Sequence, residues 1–247
     1  MKKVNAGVAF LILAVVGSSF VSTYLEKSHS PALEAGVPIW SAIAAWPSRD
    51  AASVEAQPDP NRRITAIVLD DSGSMGPDIK PAKQAVIDAL GAMAETDRVS
   101  VVALNYGTVL PFTSVEQARI DLPQALRAIK SDGSTPLTAA IQNALALLVE
   151  EASGVRGFGT FRLIVTTDGV ADVPEALDQA VASIAEMTPV QMTTIGIGIS
   201  GDHVLRRSDL GSFVDVENVD ALQAALEAAV AENTDFTAIT DFDNSGG

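Results

Sequence analysis

The sequence predicts an α/β domain: a doubly wound, mostly parallel central sheet with one short antiparallel edge strand. Three observations carry this. From residue 63 onward, short apolar runs alternate with amphipathic stretches at helical spacing. The first run, residues 64–69, is apolar almost throughout, as a strand covered on both faces must be. Asn105-Tyr106-Gly107 joins two further runs as a hairpin turn does, which makes the second of them antiparallel.

The elements follow in order. After the strand at 64–69, Ala82, Ala85, Val86, Ala89, Leu90 and Met93 recur at helical spacing, with Pro81 suited to a first turn. Residues 99–104 form the next strand and 108–112 the antiparallel edge strand. A short helix is expected over 121–130, and another is marked by Leu137, Ile141, Leu145 and Leu148. Residues 161–166 make a strand. Leu177, Val181, Ile184 and Met187 mark a helix, and 192–199 a strand. Residues 212–216 give a last short strand. Val219, Leu222, Leu226 and Val230 mark the final helix, capped by Asn218.

Composition narrows the function. The chain has 247 residues, 47% hydrophobic, enough for one large domain with a sizeable core and an N-terminal appendage. Its net charge is −15. Residues 1–62 hold five Lys/Arg and five Asp/Glu, so the excess lies wholly in residues 63–247, with 11 basic against 26 acidic groups. Such a domain repels phosphate backbones, which argues against nucleic acid as a partner, and attracts cations. There is no cysteine, which removes disulfides, zinc–thiolate sites and thiol catalysis. The two histidines, His29 and His203, nearly exclude a histidine-based cluster.

The division expected is an export segment at 1–25, a Pro/Ala-rich linker at 26–62, the domain at 63–233 and an acidic tail at 234–247. Lys2 and Lys3 precede an apolar run over 6–16 that continues less cleanly to Leu25. That pattern reads as a signal peptide or an uncleaved anchor, with the domain extracytoplasmic; cleavage would leave it secreted or periplasmic. Trp40 and Trp46 lie in the linker, either at a membrane interface or packed on the domain. Residues 236–239 would add a strand or belong to a loose tail.

The chemistry sits where strands end. Ligands of such folds bind outside the carboxyl ends of the strands, near the switch point. There Asp70, Ser72 and Ser74 follow the first strand, Thr135 lies in Asp132-Gly133-Ser134-Thr135-Pro136 before a helix, and Asp168 closes the strand from 161. Carboxylates, hydroxyls and water are the donors that suit a hard divalent cation. Each residue also has a plainer reading: Asp70 as a cap, Ser72 and Ser74 as turn hydroxyls, Thr135 as the N-cap of a helix starting at Pro136, and Asp168-Gly169 as a turn. Asp71 and Asp132 are expected beside the ion rather than on it, His203 at the surface, and Arg206-Arg207 as a solvated pair.

Val68-Leu69-Asp70-Asp71-Ser72-Gly73-Ser74-Met75 resembles the Asp-x-Ser-x-Ser signature of von Willebrand factor type A domains. Gly133-Ser134-Thr135-Pro136-Leu137 resembles that family's threonine loop, and Val165-Thr166-Thr167-Asp168-Gly169 its aspartate loop. The resemblance covers residues 61–232. It implies a metal-ion-dependent adhesion site with Asp70, Ser72, Ser74, Thr135 and Asp168 as metal ligands. The hydroxyls would bind directly or through water, the carboxylates largely through water. The ion implied is Mg2+, with Mn2+ or Ca2+ possible. The partner is a protein that offers a Glu or Asp to the open position, so the chain reads as a binding module and not an enzyme.

Two alternatives accompany this. Haloacid-dehalogenase-like phosphatases also place an Asp after a first strand, and Asp168 and Asp172 share their spacing. They need a second Asp as general acid where this chain has Ser72. The other is an accessory subunit of an ATPase-driven assembly. The chain carries no Gly-x-x-x-x-Gly-Lys-Ser/Thr loop, so the ATPase would be a separate protein.

Overall fold

The strand at 64–69 is apolar but for Thr65 because its side chains enter two different cores. In β1 (Arg63–Leu69), Ile67 and Leu69 join one apolar cluster, and Ile64, Ala66 and Val68 join the other. The computed structural model describes Trp46, residues 61–207 and residues 209–231.

Around β1 lie β2 (Arg98–Ala103), β3 (Gly107–Ser114), β4 (Thr160–Thr167), β5 (Gln191–Ile197) and β6 (Gly211–Val216). The sheet order is β3-β2-β1-β4-β5-β6. Only the β2–β3 pair is antiparallel. β3 contains Pro111, which an edge strand tolerates because one of its sides needs no ladder hydrogen bonds.

Helices α1 (Ile79–Ala89), α2 (Val115–Ala125) and α5 (Leu222–Ala231) cover the face that holds Ile67 and Leu69. Helices α3 (Leu137–Gly154) and α4 (Pro174–Met187) cover the other. The chain runs from β1 to β2 by α1 over the first face; from β3 it passes along α2 on that same face and then along α3 on the second before entering β4. Strand order therefore reverses between β1 and β4, and the loops leaving their carboxyl ends open onto a crevice. The doubly wound, mostly parallel architecture expected from the sequence is the one observed.

Two local expectations need correction. The helix expected over 121–130 is α2, which starts directly after β3. Ser114 caps it by accepting the Gln117 N–H at 3.2 Å, and Val115, Ala118 and Leu122 face the core. Pro123, which lies inside α2, hides that early start in the sequence. Helix α3 begins at Leu137 with Pro136 in the cap position, so Thr135 does not cap it. Asn218 does cap the last helical segment, accepting the N–H groups of Asp220 and Ala221.

Trp46 is half-buried and meets Phe161 edge-on, with ring centroids 4.9 Å apart. For this residue the packed reading holds. Among the described residues no helix is long and apolar enough to cross a membrane. The expected export segment at 1–25, Trp40 and the tail at 234–247 lie outside the described residues.

Candidate metal centre

β1 ends at Leu69, and Asp70 follows with 0% exposure. Thr166 stitches the neighbouring strand end to it: the Thr166 hydroxyl donates to the Val68 carbonyl and accepts the Asp70 N–H. The Asp70 carboxylate accepts the Ser72 N–H at 2.9 Å through Oδ1 and the Asp168 N–H at 3.3 Å through Oδ2. One buried carboxylate therefore bridges the ends of β1 and β4.

Above it the hydroxyls converge. Ser72 Oγ and Ser74 Oγ are 3.0 Å apart, and Ser74 Oγ donates to Asp168 Oδ1 at 2.8 Å. Ser72 is buried, Asp168 half-buried and Ser74 exposed, so the cluster opens to solvent on the Ser74 side. Asp70, Ser72, Ser74 and Asp168 are thus linked directly. Thr135 is not hydrogen-bonded to any of them, and its hydroxyl has no hydrogen-bond partner among the described residues. Its loop nevertheless lies against the first, with Gly73 N–H donating to the Gly133 carbonyl at 3.1 Å.

Four side chains hold these loops: Asp71, expected beside the site, and Ser131, Asn105 and Asp172, to which sequence reasoning assigned no such role. The Ser131 hydroxyl donates to the Ser72 carbonyl at 2.7 Å and accepts the Gly76 N–H at 2.8 Å. Asp71, buried, accepts the Asn105 N–H at 2.7 Å. The Asn105 amide donates to Asp71 Oδ1 and to the Ser134 carbonyl. Asp172 accepts the Ser134 hydroxyl at 2.6 Å and the Thr135 N–H at 2.9 Å, tying the aspartate loop to the threonine loop. Asn105 has a turn signature, and Asp172 a visible Asp-x-x-x-Asp spacing, but neither signal names the partner. Asp132 accepts the Gly133 N–H and is exposed.

The electrostatics follow from this crowding. Burial pushes the Asp168 carboxyl above its ordinary range; the Ser74 hydroxyl opposes the shift and the Asp70 charge adds to it. Burial likewise raises Asp71, with Asn105 opposing and Asp70 adding. No lysine or arginine forms an ion pair with Asp70, Asp71 or Asp168 among the described residues. Clustered carboxylates without a positive partner are costly, and a cation relieves that cost. Among the described residues no group of three or more His, Asp or Glu is arranged to hold a metal. Any cation here would therefore rely on the hydroxyls. Two carboxylates and up to three hydroxyls are a donor set that fits a hard divalent ion.

The family profile of the von Willebrand factor type A domain matches residues 66–245. The chain belongs to that family.

Several solved structures share its fold. A von Willebrand factor type A protein from Catenulispora acidiphila aligns with a TM-score of 0.58 and 20% identity, over 69% of this chain and 42% of that one. The pilus adhesin SpaC from Lactobacillus rhamnosus GG aligns at 0.58 and 15% identity, over 72% and 31%. The manganese-loaded TRAP protein of Plasmodium vivax aligns at 0.53 and 16% identity, over 72% and 77%. The alignment thus spans less than half of the first two proteins. No curated protein matches the chain.

The type A domain also corrects two surface expectations. His203 is buried: its Nδ1 accepts the Leu205 N–H at 3.1 Å, which leaves Nε2 to donate to the Gly169 carbonyl at 3.1 Å. It props the aspartate loop from behind, and burial lowers its pKa. Arg206 and Arg207 are not simply solvated. Arg206 pairs with Asp215 and lies 4.2 Å over the Phe213 ring, and Arg207 bridges Asp178 and Asp209.

Proposed function

We propose that this protein is a metal-dependent binding module which captures an acidic side chain of a partner protein through a divalent cation. Asp70, Ser72, Ser74, Thr135 and Asp168 are the proposed ligands. Mg2+ is the proposed ion, and Mn2+ or Ca2+ would suit the same donors. The observation that carries this reading is the hydrogen-bonded cluster of Asp70, Ser72, Ser74 and Asp168 at the reversal of strand order, whose carboxylates have no lysine or arginine ion-pair partner among the described residues. The Thr135 hydroxyl on the adjacent loop, without a hydrogen-bond partner among the described residues, supports the fifth position.

Hydroxyls leave a bound cation most of its charge, so it keeps its pull on a ligand from outside. That supports capture of a Glu or Asp. The manganese-loaded relative supports the divalent ion and the pilus adhesin supports an adhesive role, each by likeness of fold. Type A domains are as a rule interaction modules, and Ser72 stands where a phosphatase would need its acid, which supports a non-enzymatic role.

Residues 63–233 are the proposed binding domain. Residues 1–25 are proposed to export it and to hold it outside the membrane or be cleaved, 26–62 to link, and 234–247 to form a tail. A reporter fusion that still reaches the extracytoplasmic side without residues 1–25 refutes the export role.

The deciding experiment is Mn2+ titration and partner pull-down with wild type and the Ser72→Ala/Ser74→Ala variant, with and without chelator. Wild type should bind the ion and retain partner only when the ion is present. A partner retained equally under all conditions refutes the metal-bridged reading.

A further inference from the structure

The surface around the proposed ion is apolar and acidic, without basic groups on the loops themselves. Of seven exposed large apolar side chains among the described residues, three lie here: Tyr106, Val170 and Val173, at 49, 63 and 54% exposure. Tyr106 adjoins Asn105, which donates to the Ser134 carbonyl. Val173 adjoins Asp172, which accepts the Ser134 hydroxyl. Both side chains therefore flank the threonine loop, one from the β2–β3 turn and one from the aspartate loop. Val170 follows Gly169 on the same aspartate loop, two residues from Asp168. None of the three is needed by the core, and exposing three large apolar groups on one rim costs solubility unless they are covered on binding.

Charge sets the second requirement. Residues 70–79, 104–107, 131–137 and 167–176 carry seven carboxylates (Asp70, Asp71, Asp78, Asp132, Asp168, Asp172 and Glu175) and no lysine or arginine. Lys80 and Lys130 stand just outside these stretches. One divalent ion cancels only part of that charge. A partner rich in acid would be attracted at the ion and repelled everywhere around it. A single carboxylate among apolar and basic neighbours meets attraction at all three kinds of surface.

We propose that the partner segment presents one carboxylate to the ion, flanked by apolar or aromatic side chains that seat on Tyr106, Val170 and Val173 and by basic side chains that face the acidic loops. This rests on the metal-bridged reading above and adds the chemistry of the partner.

A displayed random dodecapeptide library tests it. The library is selected on the full chain in mild detergent with Mg2+, and binders are released with chelator. Enriched peptides should carry one Asp or Glu together with Leu, Phe, Tyr or Trp and with Lys or Arg. The Tyr106→Ser/Val173→Ser variant should bind those peptides at least about tenfold more weakly, in the range of a modest interface hot spot, while its Mn2+ affinity in direct titration stays that of wild type. Enrichment of polyacidic peptides, of acidic peptides with no apolar or basic bias, or of nothing at all overturns the proposal, as does unchanged peptide affinity in the double variant. Failure of the parent reading looks different: wild type then binds no Mn2+, or the selected peptides are held equally well in chelator.

Discussion

Removing the Asp172 carboxylate should weaken the proposed metal site without touching a proposed ligand. Asp172 accepts the Ser134 hydroxyl at 2.6 Å and the Thr135 N–H at 2.9 Å, so it sets where the threonine loop sits relative to Asp168. Both bonds end on a carboxylate that is exposed, and water competes for it. Each is therefore worth the lower part of the usual range, roughly 0.5–1 kcal/mol, and Asp172→Ala loses about 1–2 kcal/mol of loop anchoring in all. If that anchoring is what holds Thr135 in place, metal affinity falls by roughly 5- to 30-fold, within reach of what outer partners of metal ligands contribute. Asp172→Asn keeps an oxygen for the Thr135 N–H and should fall much less. The assay is Mn2+ calorimetry on both variants, with unfolding in chelator to measure any general loss of stability. Wild-type metal affinity in Asp172→Ala would refute the reasoning, and an equal loss in both variants would mean that charge and not positioning is at work.

Three further outcomes are expected. Saturating Mg2+ or Mn2+ should raise the melting temperature: at a hundredfold excess over Kd the linkage is about 2.7 kcal/mol, or roughly 5–10 °C for a domain of this size, and Asp168→Ala should show no such rise in the same thermal scans. Stability measured by urea unfolding in chelator should be fully developed above about pH 6.5 and fall as pH drops toward the lowered pKa of His203, because the folded imidazole is held neutral, with Nδ1 accepting from Leu205; the loss is at most about 1.4 kcal/mol per pH unit, and His203→Gln should flatten that slope. Gly133→Ala should lower the melting temperature in chelator by roughly 3–8 °C, since Gly133 has φ +78° and an added Cβ would stand 2.5 Å from Asn105 Oδ1.

The central features of the fold were legible because they depend on local pattern. A strand buried on both faces must be apolar almost throughout, and residues 64–69 are, with Thr65 the one exception; a helix on the sheet must repeat its apolar residues every three to four positions, and α1, α3, α4 and α5 do. Helix α2 was misplaced because Pro123 looks like a boundary, whereas the boundary is made by the Ser114 cap. His203 was misread because Gly201-Asp202-His203 has the composition of a surface turn. What buries it is the Gly169 carbonyl, 34 residues away in sequence. The same applies at the site. The donors announce themselves by spacing within each loop. Asn105, Ser131 and Asp172 act between loops, and no spacing within one segment reports a hydrogen bond to another.

That division matters for what the acidic charge means. Read from composition, −15 is a solubility device that attracts cations. In the folded domain, three of the carboxylates are gathered around one point, and two of them, Asp71 and Asp168, have their pKa values raised by burial and by the Asp70 charge. The fold thus concentrates repulsion at the place where the hydroxyls also converge. Beyond about 8 Å, salt screens most of this charge from a partner. Within that distance, the proposed ion is the one feature that reverses its sign. The acidic loops and the cation therefore act together. Without the ion they repel the carboxylate the site is proposed to receive, and with it they still discriminate against any partner that brings more acid than the ion can hold.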